Sequence, residues 1–301
     1  MVPTIQGVPL EDIPKTNLGI VDNHGFEIEL GYNKRLTDDW SISFKSNYGY
    51  SKNKVVYYDE AKYADDYAYR YRVTGYSIDQ QWGIPIDYSN GNGFFNSQEE
   101  LDKYLSNITY EVGTPRVGDF IYKDVNKDGK INDKDKVPIG YSPVPRVTYG
   151  LNLSTKYKNF DANIFFQGVG MCSNYYSGVY VWETSFLGTY FDYHEHAWTA
   201  ERYAAGEKIT YPALSTHSTS NHIANSFFIM DKSYCRLRNL ELGYTTTQLK
   251  KIGLKNVRFS LNGQNLLTFT KFKMKHIDPE LSHQLDYPIN RSVSGGISIN
   301  F

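Results

Sequence analysis

Phe26-Glu27-Ile28-Glu29-Leu30-Gly31-Tyr32-Asn33 is the stretch that decides the fold class. Phe26, Ile28, Leu30 and Tyr32 fall on one side of an extended chain, and Glu27, Glu29, Gly31 and Asn33 on the other. Period two is the signature of a strand with two unlike faces, because successive side chains point to opposite sides of the pleat. After the polar turn Lys34–Asp39 the pattern returns: Trp40, Ile42, Phe44, Tyr48 and Tyr50 oppose Ser41, Ser43, Lys45, Asn47 and Gly49. Working outward, the same reading predicts strands over Arg146–Tyr157, Phe160–Gly168, Tyr234–Thr245, Asn256–Thr268 and Asn290–Phe301, so the chain reads as all-β. In the last of these Val293, Ile297, Ile299 and Phe301 oppose Ser292, Ser294, Gly296, Ser298 and Asn300.

The second face of these strands is small and polar, rich in Ser, Asn and Gly. A soluble sandwich usually exposes Lys and Glu there; a wet, crowded lumen suits the smaller residues. Trp40, Tyr157, Phe160 and Tyr244 stand at strand ends beside short turns, where an interfacial aromatic girdle belongs. Lys34–Asp39, Lys158–Asn159 and Thr246–Lys255 are short connections, whereas 52–145, 171–228 and 271–289 are long. Short turns on one side and long loops on the other are the rule for outer-membrane barrels. Arg236 and Arg238 depart from the pattern, sharing a period-two face with Leu240, Leu242 and Tyr244. On a lipid-facing surface they are expected to sit near the interface or snorkel, since Arg at the midplane costs about 2–4 kcal/mol.

Composition agrees. The 301 residues carry a formal net charge of -1, which argues against a nucleic-acid partner, and 27 tyrosines lift the aromatic share to 16%. No run approaches the roughly 18 apolar residues of a spanning helix. A mean hydropathy of -0.52 is compatible with strands that alternate polar and apolar positions. Met1–Pro14 lacks the basic and apolar regions of a signal peptide, so a chain working outside the cytoplasm is expected to be a piece of something longer. Cys172 and Cys235 are expected to be unpaired thiols.

One loop has metal-ligand spacing. In Asp124-Val125-Asn126-Lys127-Asp128-Gly129-Lys130-Ile131-Asn132-Asp133-Lys134-Asp135, oxygen donors stand at positions 1, 3, 5 and 12, with the Lys130 carbonyl at 7. Gly129 occupies the sharp turn at position 6. Asp124, Asn126, Asp128, Lys130 and Asp135 are therefore the candidate calcium ligands, and a turn tightened by Asx hydrogen bonds without metal is the other reading. His194-Glu195-His196 offers no third zinc ligand and reads as ordinary loop. Ser97-Gln98-Glu99-Glu100 predicts a capped helix running to Ser106. Tyr57, Tyr58, Tyr63, Tyr67, Tyr69 and Tyr71 crowd one loop, suited to packing or to stacking on sugar rings. No nucleophile–base constellation, P-loop or dinucleotide fingerprint appears, and no enzyme is expected.

Taken in order, several segments resemble one family. They are Asn23-His24-Gly25-Phe26-Glu27, the run GDFIYKDVNKDGKINDKDKVPIG from Gly118 to Gly140, Pro145–Gly150, SYCRLRNLELGY from Ser233, VRFSLNGQNLLTFT from Val257 and the alternation ending at Phe301. The chain is similar to the C-terminal end of SusC/RagA-family TonB-dependent outer-membrane transporters of Bacteroidetes. The resemblance implies a barrel of about 22 antiparallel transmembrane strands with long extracellular loops. It also implies a plug domain and most strands preceding the residues in hand, about seven strands being present. Import of an oligosaccharide or peptide, energy delivered through TonB, a SusD-like surface lipoprotein as partner and outer-membrane lipid around the wall are further implications. Phe301 is expected to serve as the terminal aromatic signal for barrel assembly. A soluble or surface-attached glycan-binding β-rich protein is the alternative.

Overall fold

Long uninterrupted alternation leaves the backbone one economical arrangement, extended strands paired edge to edge. The computed structural model describes residues 19–60, 72–178, 181–183, 190–248, 253–281 and 286–301. In chain order the elements are β1 (Ile20–Arg35), β2 (Trp40–Tyr57), β3 (Trp82–Gly83), α1 (Gln98–Leu105), β4 (Thr109–Tyr110), β5 (Lys130–Ile131), β6 (Val137–Pro138), β7 (Val147–Tyr157), β8 (Phe160–Gly170), β9 (Ser173–Tyr175), α2 (Ala200–Ala204), β10 (Ile229–Asp231), β11 (Tyr234–Thr246), β12 (Asn256–Thr270) and β13 (Ser292–Asn300). The long strands form one seven-stranded sheet in the order β1-β2-β7-β8-β11-β12-β13, with β1 and β13 at its edges. From β2 onward neighbours pair antiparallel. Among the described residues no helix is long and apolar enough to cross a membrane.

The chain divides into two compact units. One is the sheet, built from Gly25–Ser51, Val144–Cys172 and Asp231–Phe301. The other gathers the described residues of the two longest connections, Lys52–Pro143 and Ser173–Met230.

In the sheet unit the short connections all lie at one end of the strands, as antiparallel order requires. At the tightest of them, between Tyr157 and Phe160, Lys158 takes a left-handed backbone (φ 51), the conformation short hairpin turns need. Register then aligns side chains across strands. Trp40 faces Tyr157, Tyr157 faces Phe160, Phe160 faces Tyr244, Tyr244 faces Phe259 and Phe259 faces Ile297. The result is one continuous, mostly aromatic row across six strands beside the short turns. The Trp40 ring meets Tyr157 edge-on and its Nε1–H donates to Thr155 Oγ1 at 3.0 Å, while the Phe160 and Tyr244 rings lie 4.8 Å apart.

The expected placement of Arg236 and Arg238 is corrected by a bulge. Leu237 pairs with Phe166 of β8, but Asn239 pairs with Phe165, so Arg238 is an extra residue in β11. One extra residue reverses the alternation. Arg236 therefore lies on the face of Asn239 and Glu241, opposite Leu237, Leu240, Leu242 and Tyr244. It is buried and does not snorkel towards lipid.

The loop unit has its own core. Phe95, Phe120, Tyr122, Tyr211 and Phe228 are buried there, in a web of edge-on and tilted aromatic contacts. The capping residue Ser97 accepts the Glu100 N–H at 3.1 Å, as its position before α1 demands. The Glu100 carboxylate reaches past Ser97 to accept the Asn96 N–H at 2.7 Å. Phe120 and Tyr122 make only isolated bridges, to Phe94 and Ile86.

Candidate functional site

The two faces of the sheet define what it can do. On the apolar face Phe26, Ile28, Leu30, Tyr32, Phe160, Leu242, Phe259, Leu261, Val293 and Ile297 are exposed together. Soluble monomers rarely expose a contiguous apolar surface of this kind. The opposite face carries paired charges. Lys45 Nζ lies 2.7 Å from Glu29, and Arg258 bridges Asp161 at 2.5 Å and Glu241 at 2.6 Å, tying β8, β11 and β12 together. Strand backbones fix these pairs; the long side chains only complete them.

At the long-loop end of the sheet unit the polar face carries a buried cation. Arg236, its side chain 1% exposed, donates to Asp278 at 2.6 Å, to Glu280 at 2.7 Å and, through Nε, to Thr268 Oγ1 at 3.0 Å. Arg238 shares Glu280 at 3.0 Å. The residues from Phe272 to Leu281 are thereby clipped to β11. Nothing in the local sequence announced this cluster, because its parts lie in different segments and the bulge hides their common face.

The loop unit holds a second polar core. Glu183 is buried and accepts Tyr211 Oη at 2.7 Å, the Ser215 N–H at 3.1 Å and His222 Nε2 at 3.2 Å. His222 Nδ1 accepts the Thr219 N–H, which leaves the imidazole proton on Nε2 to be donated. Burial opposes the Glu183 charge, yet the hydrogen bonds from His222 and Tyr211 outweigh it and hold the carboxyl below its ordinary range. Nearby, Asn221 accepts the Phe120 N–H and donates to Asp119, and Asn225 donates to Tyr122 Oη, which donates in turn to the Ser220 carbonyl. Every one of these groups has a partner, as a rigid scaffold needs.

The calcium-type loop lies in the same unit. Asp124 accepts the Lys127 and Gly129 N–H groups, Asn126 accepts that of Asp128, and Asp128 accepts that of Lys130. Lys127 (φ 61) and Gly129 (φ 79) adopt left-handed backbone that turns the loop back on itself. Asp135 is buried and accepts from Val125 and Asn132; burial pushes its carboxyl above the ordinary range. The Lys130 side chain points away to Glu111 at 2.7 Å, leaving its carbonyl as the only donor it could offer. Among the described residues no group of three His, Cys, Asp or Glu side chains stands close enough to hold a metal ion.

His194 is buried with both ring nitrogens engaged, Nδ1 by Phe191 N–H and Nε2 by the Val181 carbonyl, so it is a structural residue. Cys172 and Cys235 are free thiols. Tyr63, Tyr67, Tyr69 and Tyr71, like Met1–Pro14, lie outside the described residues. Phe301 is exposed just beyond β13.

A sheet with one lipid-compatible face and one charged, polar face is built as a section of a transmembrane barrel wall is built. No family model matches the chain. Over 95% of its length it is 27% identical to TonB-dependent receptor P3 and 25% identical to TonB-dependent receptor P26, both of Formosa agariphila. It is also 25% identical to TonB-dependent receptor SusC of Bacteroides thetaiotaomicron over 95% of its length. The chain spans 29%, 30% and 27% of these three relatives. Among solved structures, the RagAB peptide transporter superposes with a TM-score of 0.67 at 17% identity, covering 95% of this chain and 30% of that one. The RagAB peptide importer in its closed-closed state gives 0.66 at 18% identity, with the same coverage. In sequence and fold the chain is thus SusC/RagA-like, corresponding to the C-terminal part of a TonB-dependent receptor, and its place is the outer membrane.

Proposed function

We propose that this chain supplies one section of wall and the outer loops of a barrel that imports an oligosaccharide or peptide. Energy would arrive through TonB, and a SusD-like surface lipoprotein would work beside it. The observation that carries this reading is the two-faced sheet, with exposed aliphatic and aromatic side chains opposite buried and paired charges. Neighbouring strands of the complete barrel would pair with β1 and β13, since unpaired backbone groups in lipid cost several kcal/mol each. Relatives named as receptors and the absence of a nucleophile–base pair from the sequence both favour transport over catalysis.

The test is uptake of labelled oligosaccharide and peptide pools by cells with and without the complete receptor, repeated after a protonophore discharges the inner membrane. Receptor-dependent uptake that the protonophore abolishes supports the reading. A water-soluble protein that binds glycans without any membrane fraction would replace it with the soluble alternative.

Two residue-level proposals go with it. The Asp124–Asp135 loop takes calcium, which would relieve the buried Asp135 charge; the ligand order at positions 1, 3, 5, 7 and 12 and the turn at Gly129 support this. Phe301 acts as an assembly signal, supported by its exposed aromatic ring in the outward alternation of Val293, Ile297 and Ile299.

A further inference from the structure

A cavity of about 400 Å³ lies within the sheet unit, between the polar face and the segment that follows β12. That is the size of a small-ligand site. Arg236, Asn265, Thr268, Met274, Asp278 and Arg291 are among its lining residues. Their charges are not balanced. Arg236 is neutralised by Asp278 and Glu280, whereas Arg291, exposed at the start of the last strand, has no ion-pair partner among the described residues. Lys275 lines the same space.

A second feature marks this wall. Asn265 adopts left-handed backbone (φ 53) opposite the bulged Arg238, and its Nδ2 donates to the Asn290 carbonyl at 3.0 Å. Its Oδ1 is buried without a hydrogen-bond partner. Strained backbone and an unsatisfied acceptor at one residue are tolerated where something other than local stability keeps them. Beside Pro288, which lines the cavity, Tyr287 is 81% exposed and offers a flat face to a passing ligand.

We propose that this cavity is a subsite for a carboxylate-bearing part of the imported ligand, with Arg291 as its anchor. Guanidinium suits the task because its fork donates two parallel hydrogen bonds to one carboxylate. The site deepens the transport reading and rests on it. The carboxylate could come from a peptide C-terminus or from an acidic sugar, and the experiment separates the two.

Calorimetry on the complete receptor in detergent uses four probes: tetraalanine, its C-terminal amide, an oligogalacturonate and its methyl ester. One of the two acids is expected to bind, and its neutralised form to bind about tenfold to a hundredfold more weakly, the range of a charged hydrogen-bond pair. Arg291→Gln should weaken the acid to the same degree and leave the neutral form unchanged, and Arg291→Lys should fall between. Heat-modifiable mobility of both variants, expected to match the parent, confirms that they assemble. Failure of both acids to bind overturns the subsite, as does equal binding of acid and neutral forms or equal binding by Arg291→Gln. Receptor-dependent uptake persisting in that case leaves the transport reading intact; loss of all uptake is what removes it.

Discussion

Replacing Arg236 by Ala probes the clip between β11 and the segment that follows β12. The substitution leaves Asp278 and Glu280 facing a position that holds no cation. Removing one partner of a buried pair costs about 3–5 kcal/mol. Two facts place this case at the low end: the carboxylates keep 16% and 28% exposure, and Glu280 retains Arg238 at 3.0 Å. A loss of about 3 kcal/mol corresponds to local opening roughly a hundredfold more frequent. The readout is hydrogen exchange in the complete receptor at Ile277, Glu280 and Leu281, whose N–H groups bond within this segment. Arg236→Lys, which keeps one charge but loses the fork, should give an intermediate rate. If exchange in Arg236→Ala stays within about threefold of the parent, the reasoning fails, because each factor of ten is worth 1.4 kcal/mol. The buried side chains of Phe272, Met274 and Ile277 would then hold the segment by themselves.

Three further outcomes are expected. Because the Glu183 carboxyl is held below its ordinary 4.5, its contribution is complete above that value and lost as the pH falls through the lowered one. Exchange around Tyr211–Ser215, corrected for intrinsic rate, should rise on acidification, and Glu183→Gln should flatten that rise while costing about 1–3 kcal/mol at neutral pH. Calcium titrated into the complete receptor should release heat that Asp128→Ala abolishes; no heat in the parent would leave the loop as an Asx-bonded turn. Deleting Phe301 should lower the heat-modifiable fraction in the outer membrane far more than Ser298→Ala, and equal assembly of the two would remove the signal role.

Period-two alternation made the long strands legible, since burial on one face alone is enough to write it. Phe160–Gly168 was read and Phe160–Gly170 is found; Tyr234–Thr245 became Tyr234–Thr246. The start of β1 at Ile20 escaped because Ile20-Val21-Asp22-Asn23-His24 carries no clean alternation. Arg236 was placed on the wrong face for a specific reason. A bulge is defined by the registers of two neighbours, and no property of β11 alone reveals it. The polar cores were illegible for a related reason. Asn221 and Asp119 are 102 residues apart in sequence, and Glu183 and His222 are 39 apart. The loop unit is ordered by such pairs, and pairing across distance leaves no periodic trace. The calcium-type spacing and the Ser97 cap were visible because their partners lie within a single turn or loop.

The bulge at Arg238 makes the facing of side chains, more than the number of residues, the quantity that β11 must preserve. Counted from Tyr244 in the aromatic row, an odd residue intervenes before Arg236, so the two stretches on either side of Arg238 obey opposite odd–even rules. A substitution scan along the strand should show tolerance for apolar residues switching phase there. Removing Arg238 alone would erase the bulge and leave Arg236 inward and Leu237 outward, because Leu237 and Asn239 already pair with the adjacent Phe166 and Phe165 of β8. Removing it while inserting a residue elsewhere between Arg236 and Tyr244 would move the bulge and again keep both faces, so the extra residue is free to migrate or to vanish, provided that the bulge goes with it.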